Sequence, residues 1–188
     1  MANILFLDNF DSFTYNLVDQ FRVLGHNVKI YRNDTNLEQV VQEALNTPDT
    51  ILALSPGPGT PAEAGILLPL IERLKNDVPI IGICLGHQLL ALTLGGHTTK
   101  LKFGHRGCNH PVKDLETNRV HITSQNHGYV VNELPEDVVA THININDGTV
   151  EGMKHTKLPI YSVQFHPEAA AGPKDSEYIF DKFMEYAL

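Results

Sequence analysis

The chain has 188 residues, 42% of them hydrophobic and 19% charged, with 22 acidic side chains against 14 Lys and Arg for a formal net charge of −8. That length and composition build one domain with a sizeable core and exclude wholesale disorder, and the acidic balance argues against a nucleic-acid binder. Two cysteines, Cys84 and Cys108, exclude a disulfide scaffold and fit a reducing cytoplasm. No apolar run approaches the roughly 20 residues of a membrane span, and Met1–Asp8 lacks the basic start of a signal peptide. A cytoplasmic protein with neither membrane nor nucleic-acid partner is therefore expected.

Taken in chain order, Ile4–Leu7 reads as a buried strand. Asp11 or Ser12 can cap a helix in which Phe13, Leu17, Phe21 and Leu24 recur at helical spacing, and Gly25 ends it. Val28–Tyr31 is a strand and Leu37–Leu45 a helix. Ile51–Leu54 is a third strand that runs into Ser55-Pro-Gly-Pro-Gly-Thr-Pro61, followed by a helix over Ile66–Leu74. Val78–Ile83 is a fourth strand and passes at once into a helix over Leu85–Leu94, closed by Gly95-Gly96. This alternation predicts an α/β fold, an open and mostly parallel twisted sheet with helices on both faces. Beyond residue 97 the texture turns short and turn-rich. Val120–Thr123, Val138–His142, Thr149–Met153 and Ile160–Phe165 are expected as short β-segments completing the sheet, with a last helix over Asp175–Tyr186. No linker or repeat interrupts residues 1–188, so a single domain is expected.

Gly82-Ile-Cys84-Leu-Gly86 lies between an apolar strand and an apolar helix. It has the form of a nucleophile elbow with cysteine as the nucleophile. Small residues two positions to either side let the backbone turn sharply. The following helix start aims N–H groups and partial positive charge at the sulfur, which favours the thiolate, and the N–H of Leu85 is placed for an oxyanion. The competing reading of a lone cysteine is a buried structural thiol; the strand–elbow–helix context favours catalysis. Among ten histidines, His166 in Gln164-Phe-His166-Pro-Glu168 is the best base. Residues i and i+2 of an extended segment share a face, so Glu168 can hold the imidazole of His166. Gly57 and Gly59 follow a strand where an open sheet places its ligand crevice, and they let backbone approach a substrate. The phosphate-loop pattern is absent. His105, Cys108 and His110 are close in sequence, and His166-Pro-Glu168 has an H-x-E form, but the cysteine pair of zinc deaminases and the H-E-x-x-H pattern are missing. No metal and no cofactor is expected. The residues alone reach a cysteine acyl-transfer enzyme.

Gly82-Ile-Cys-Leu-Gly-His-Gln88 together with His166-Pro-Glu168 resembles the class I, triad-type glutamine amidotransferases over essentially the whole chain. The resemblance implies that Cys84 attacks the side-chain amide of L-glutamine, that His166 is base and then acid, and that Glu168 orients it. It implies an oxyanion hole at the backbone of Gly59 and Leu85, and glutamine-binding positions at Gly57, Gln88, Gly128 and Tyr129, with Asn126 in addition. It also implies delivery of ammonia to a larger synthase partner.

The two halves resemble different branches. Residues 1 to about 88, with Leu7-Asp-Asn-Phe-Asp-Ser-Phe-Thr-Tyr-Asn16 and Leu54-Ser-Pro-Gly-Pro-Gly59, are similar to the glutaminase component of anthranilate or aminodeoxychorismate synthase. From about 89 onward, Lys102-Phe-Gly-His-Arg-Gly-Cys-Asn-His-Pro111 and Thr123-Ser-Gln-Asn-His-Gly-Tyr129 are similar to the glutaminase domain of the carbamoyl-phosphate synthetase small chain. Such a mosaic arises from a recombinant, a designed sequence or a divergent member, and a switch near the shared Cys84 elbow favours the first. The favoured partner is the large, chorismate-using component of a synthase; the alternatives are a carbamoyl-phosphate type partner, an uncoupled glutaminase, a hydrolase of another acyl substrate such as a γ-glutamyl peptide, and a non-catalytic binding module.

Overall fold

The computed structural model describes residues 1–169 and 174–188. Its apolar runs are strands because both of their faces are covered. In β1 (Asn3–Asp8), Ile4 and Phe6 face one side and Leu5 and Leu7 the other, and all four are buried. Ile4 and Phe6 pack with Leu17, Val18 and Phe21 of α1 (Thr14–Val23) and with Ile179, Phe180 and Phe183 of α5 (Tyr178–Ala187). Leu5 and Leu7 belong to the opposite core, with Val40, Val41 and Ala44 of α2 (Leu37–Asn46), Leu70 and Ile71 of α3 (Leu67–Leu74) and Leu89 and Leu90 of α4 (Leu85–Thr93). Each such side chain stabilises the fold by about 1.5–3 kcal/mol relative to an exposed one. No described helix is long and apolar enough to cross a membrane.

Among the described residues the sheet has nine strands, in the order β2-β1-β3-β4-β9-β8-β7-β5-β6. β2 (Asn27–Arg32), β1, β3 (Thr50–Leu54), β4 (Ile80–Ile83) and β9 (Ile160–Val163) are mutually parallel. β8 (Val150–His155), β7 (Val138–Asn144), β5 (His97–Asp114) and β6 (Val120–Glu133) continue it antiparallel. The strand order reverses between β1 and β3, which opens a crevice beyond the carboxyl ends of the parallel strands. The chain leaves β1, β3, β4 and β9 at that end, so the segments after Asp8, Leu54, Ile83 and Val163 converge there.

Three expectations are corrected. Neither Asp11 nor Ser12 caps α1. Phe13 occupies the cap position without a side-chain bond, while the Asp11 carboxylate accepts from the Phe13 N–H and the Thr14 hydroxyl donates to Asp8. After residue 97 the short strands expected at 138–142, 149–153 and 160–165 are present as β7, β8 and β9, but Val120–Thr123 is only the start of a long strand: β5 and β6, of 18 and 14 residues, form a long hairpin. Its pairing shifts register around residues 100–105 and 107–110, and Gly104 and Gly107 adopt positive φ there. These breaks hide the period-2 pattern that marks an ordinary strand. The last helix begins at Tyr178, after a turn over Asp175–Glu177.

Candidate active site

The elbow is built by two glycines and one strained cysteine. Cys84 sits at φ +53° and ψ −102°, in a region that side chains avoid, between β4 and α4. A Cβ on Gly82 would come 2.8 Å from the carbonyl group of Gly86. One on Gly86 would come 2.5 Å from the carbonyl oxygen of Leu54. Only glycine lets the turn and the helix seat against β3 and β4. The Cys84 N–H donates to the Val163 carbonyl at 2.9 Å, which fastens the elbow to the end of β9. Cys84 thus stands immediately before the first turn of α4, the end of a helix that carries unpaired N–H groups and partial positive charge.

Past β9 the chain does not run on extended as expected: it bends at Gln164–Phe165 and turns at Pro167–Glu168, where the Ala169 N–H donates to the His166 carbonyl at 3.4 Å, and Phe165 is buried in the core beneath α5. His166 Nδ1 and Glu168 Oε1 are 2.7 Å apart. The His166 N–H donates to the Ser124 carbonyl at 2.9 Å and ties this segment to β6. Burial opposes charge on His166, but Cys84 and the Glu168 carboxylate outweigh it and hold the imidazole well above its ordinary range. Its Nε2 is buried and makes no well-formed hydrogen bond among the described residues.

A cavity of about 740 Å³ opens over the elbow. The structure brings all ten sequence-derived candidates to its wall: Cys84, His166 and Glu168; Gly59 and Leu85; Gly57, Gln88, Asn126, Gly128 and Tyr129. Gly57 is pressed against the β1 exit, where a Cβ would meet Asn9 Cβ at 2.5 Å. The loop is held from below, since the Asn9 N–H donates to Ser55 Oγ at 2.8 Å and the Asn9 amide to the Ser55 carbonyl at 3.0 Å. Gly59 adopts φ +83°. Asn126, Gly128 and Tyr129 arrive on β6, opposite Arg106 and Lys100 of β5. Gln88, one turn into α4, donates to the Tyr129 carbonyl at 3.2 Å and to Gln164 Oε1 at 3.3 Å.

Several residues of the site were not singled out from the sequence. Gln164 is fully buried, with Nε2 3.6 Å from Cys84 Sγ. Its signal was present, because it stands two residues before His166 as Glu168 stands two after it. Asp11 lines the wall, and burial together with the Glu168 carboxylate raises it, against the Phe13 N–H and His166. Lys100 and Arg106 add positive charge to the rim. No local pattern marked these three; only the converging loops and the hairpin bring them in.

The sequence cluster His105, Cys108 and His110 does not converge as a ligand set. His105 is buried and Cys108 exposed. Instead His105, His127 and Glu151 bring ligand-type atoms within 4.8 Å of one another. His105 Nε2 lies 2.6 Å from Asp147 and its Nδ1 3.3 Å from Glu151. Glu151 outweighs burial and, with Asp147, pushes His105 up to about 9. The imidazolium itself balances the two carboxylates. Burial pushes neighbouring His127 down to about 3, although its Nδ1 faces the Tyr129 carbonyl at 2.7 Å. His87 of the Gly-His-Gln run points away from the cavity to Ser162 Oγ at 2.8 Å, and burial pushes it down to about 3 as well.

This arrangement has close relatives. Residues 5–186 match the family "Glutamine amidotransferase class-I". The chain is 62% identical over 173 residues to the carbamoyl phosphate synthase small chain of Clostridium perfringens, covering 92% of this chain and 48% of that one. It is 55% identical to anthranilate synthase component 2 of Haemophilus influenzae, covering 100% of this chain and 99% of that one. It thus spans about half the length of the carbamoyl phosphate synthase small chains it matches, and nearly all of the component 2 chain. Among solved structures, a putative GMP synthase component from Thermoplasma acidophilum superposes with a TM-score of 0.82 at 27% identity, over 100% of this chain and 94% of that one. A glutamine amidotransferase from Thermotoga maritima, at 20% identity, a TM-score of 0.73 and coverage of 98% and 83%, shares the fold. With the family matched from residue 5 to 186 and a relative aligned along its full length, the chain belongs to the class-I glutamine amidotransferases.

Proposed function

We propose that the protein hydrolyses L-glutamine to glutamate and ammonia through a glutamyl thioester on Cys84, as one amidotransferase domain over residues 1–188. The observation that carries this is the strained Cys84 at the start of α4, set beside a half-buried His166 whose far nitrogen is 2.7 Å from Glu168. The sulfur attacks the side-chain carbonyl carbon, and the oxygen takes up the charge against the N–H groups of Leu85 and Gly59. His166 gives its proton to the amide nitrogen, and ammonia leaves as the C–N bond breaks. Water then gives a proton to His166 and adds to the thioester carbon, and the sulfur departs as glutamate forms.

Gln88 has both amide hydrogens engaged, by Tyr129 and Gln164. Its oxygen is the atom left to meet a substrate donor, such as the α-ammonium group of glutamine. The rim charges of Lys100 and Arg106 suit the α-carboxylate.

The ammonia is destined for a larger synthase partner. The end-to-end similarity to component 2 favours a partner of the anthranilate or aminodeoxychorismate synthase type. The higher identity to the carbamoyl phosphate synthase small chain supports the second reading, a carbamoyl-phosphate type partner. Glutamate release is measured for the chain alone and then with each type of large partner, with Cys84→Ala as the blank. Cys84-dependent release that rises with one partner supports the reading and assigns the partner. Release indifferent to both means an uncoupled glutaminase. Absence of Cys84-dependent release rejects the catalytic reading.

A further inference from the structure

We propose that Gln164 is a further catalytic residue, whose side-chain amide donates a hydrogen bond to the Cys84 sulfur and so holds it as the attacking thiolate. The inference rests on Cys84 being the nucleophile of the reaction proposed above.

The direction of the Gln164 amide follows from a chain of three contacts. The Tyr129 carbonyl can only accept a hydrogen bond, and it lies 3.2 Å from the Gln88 amide nitrogen. The same nitrogen is 3.3 Å from the Gln164 side chain, which must therefore present its oxygen. A flipped Gln164 would set two NH2 groups against each other. The remaining end of Gln164, its NH2, faces Cys84 Sγ at 3.6 Å. The sulfur thus meets a donor, fixed by a backbone carbonyl two side chains away.

The environment amplifies this contact. Gln164 is 0% exposed, so water does not compete for its N–H. A donor to a thiolate is worth more than a donor to a thiol, so the bond favours the charged form. Its backbone is also fixed, with the Gln164 N–H donating to the Glu151 carbonyl at 2.8 Å. The charged and titratable groups around the sulfur come from every neighbouring element: His166 and Glu168 after β9, Asp11 after β1, His127 on β6, and Lys100 and Arg106 on β5. Beside the His166 imidazole, which interacts with the Cys84 sulfur from the cavity side, Gln164 supplies a neutral donor to it at 3.6 Å. Because Gln88 lines the cavity and holds Gln164, the wall that receives glutamine and the donor that holds the nucleophile form one hydrogen-bonded unit.

The test reads the thiolate without turnover. In a Cys108→Ser background, which removes the exposed thiol, the rate of Cys84 alkylation by iodoacetamide is followed against pH, alongside kcat and KM for glutamine. Gln164→Leu removes the donor. Gln164→Glu keeps the shape and places an acidic group at the sulfur. For both, Cys84 alkylation near neutral pH is expected to slow roughly tenfold, with kcat falling more than KM rises. A Gln164→Leu protein with a parental alkylation profile overturns the proposal, even if turnover falls. If melting shows Gln164→Leu unfolded, Gln164→Glu decides by the same criterion. Glutaminase activity that survives Cys84→Ala overturns the nucleophile assignment, and this inference with it.

Discussion

Gly86 and Leu54 touch so closely that the elbow helix has no room for a side chain at that point. A Cβ on Gly86 would lie 2.5 Å from the Leu54 carbonyl oxygen and 2.7 Å from Leu54 Cβ. The contact is backbone against core strand, so neither partner can swing aside. Gly86→Ala is expected to destabilise the fold by about 1–3 kcal/mol and to displace Cys84. Gly25→Ala serves as the control, since a Cβ there meets nothing within 4 Å and only the φ of +85° is strained, at about 1 kcal/mol. Urea denaturation separates the two. Equal losses would count against the close-contact account.

Gly57 makes the parallel case for the loop after β3. Its Cβ would come 2.5 Å from Asn9 Cβ and 2.7 Å from the Asn9 carbonyl oxygen. Gly57→Ala should therefore shift the loop carrying Gly59 and lower kcat for glutamine hydrolysis at least tenfold. The global melting temperature should fall far less than for Gly86→Ala, because a surface loop yields more readily than a core strand. Steady-state glutamate release and a thermal melt on one preparation test this.

Glu168→Gln keeps the shape beside His166 and removes the charge. The Glu168 carboxylate is one of the groups that hold His166 above its ordinary range against burial. Losing it weakens the imidazolium that must protonate the departing nitrogen. A drop in kcat of about a hundredfold or more is expected, with KM little changed. A variant retaining most of the parental kcat would remove Glu168 from the mechanism.

Stability should peak near pH 6.5 and fall on both sides. His105 is pushed up to about 9 by Glu151 and Asp147 against burial. Its contribution is complete below about 6.5 and is lost as pH rises from there through 9. His87 and His127 are pushed down to about 3 by burial, and His142 to about 4. Each binds its proton more readily in the unfolded chain, so stability falls as pH drops below about 6.5 towards 3. Urea midpoints measured across this range test the shape. His166, also held above its ordinary range, adds to the alkaline limb, so Glu151→Gln should reduce that limb without abolishing it and leave the acid limb in place. An alkaline limb unaltered by Glu151→Gln would refute the role of the His105 ion pair.

The amino-acid order by itself determined the βαβ half. Its inner strands β1, β3 and β4 are continuous buried apolar runs, the edge strand β2 is a shorter and more exposed one, α1, α2 and α3 each carry an apolar stripe, and these patterns are local properties of the chain. The elbow and the His166–Glu168 pair were legible for the same reason, because a glycine two residues away and an i, i+2 spacing act over a few bonds. Only tertiary structure decided the rest. Bulges and positive-φ glycines scrambled the alternation of the β5–β6 hairpin, so its length and its place at the sheet edge depend on partners far along the chain. Asp11, Lys100, Arg106 and Gln164 became part of the site because four strand exits and one hairpin converge on a single crevice. The charge of His105 was likewise settled by Asp147 and Glu151, more than forty residues away, which the fold brings to either side of its ring. A proton's position depends on the charges that surround it in space, and sequence spacing does not contain that distance.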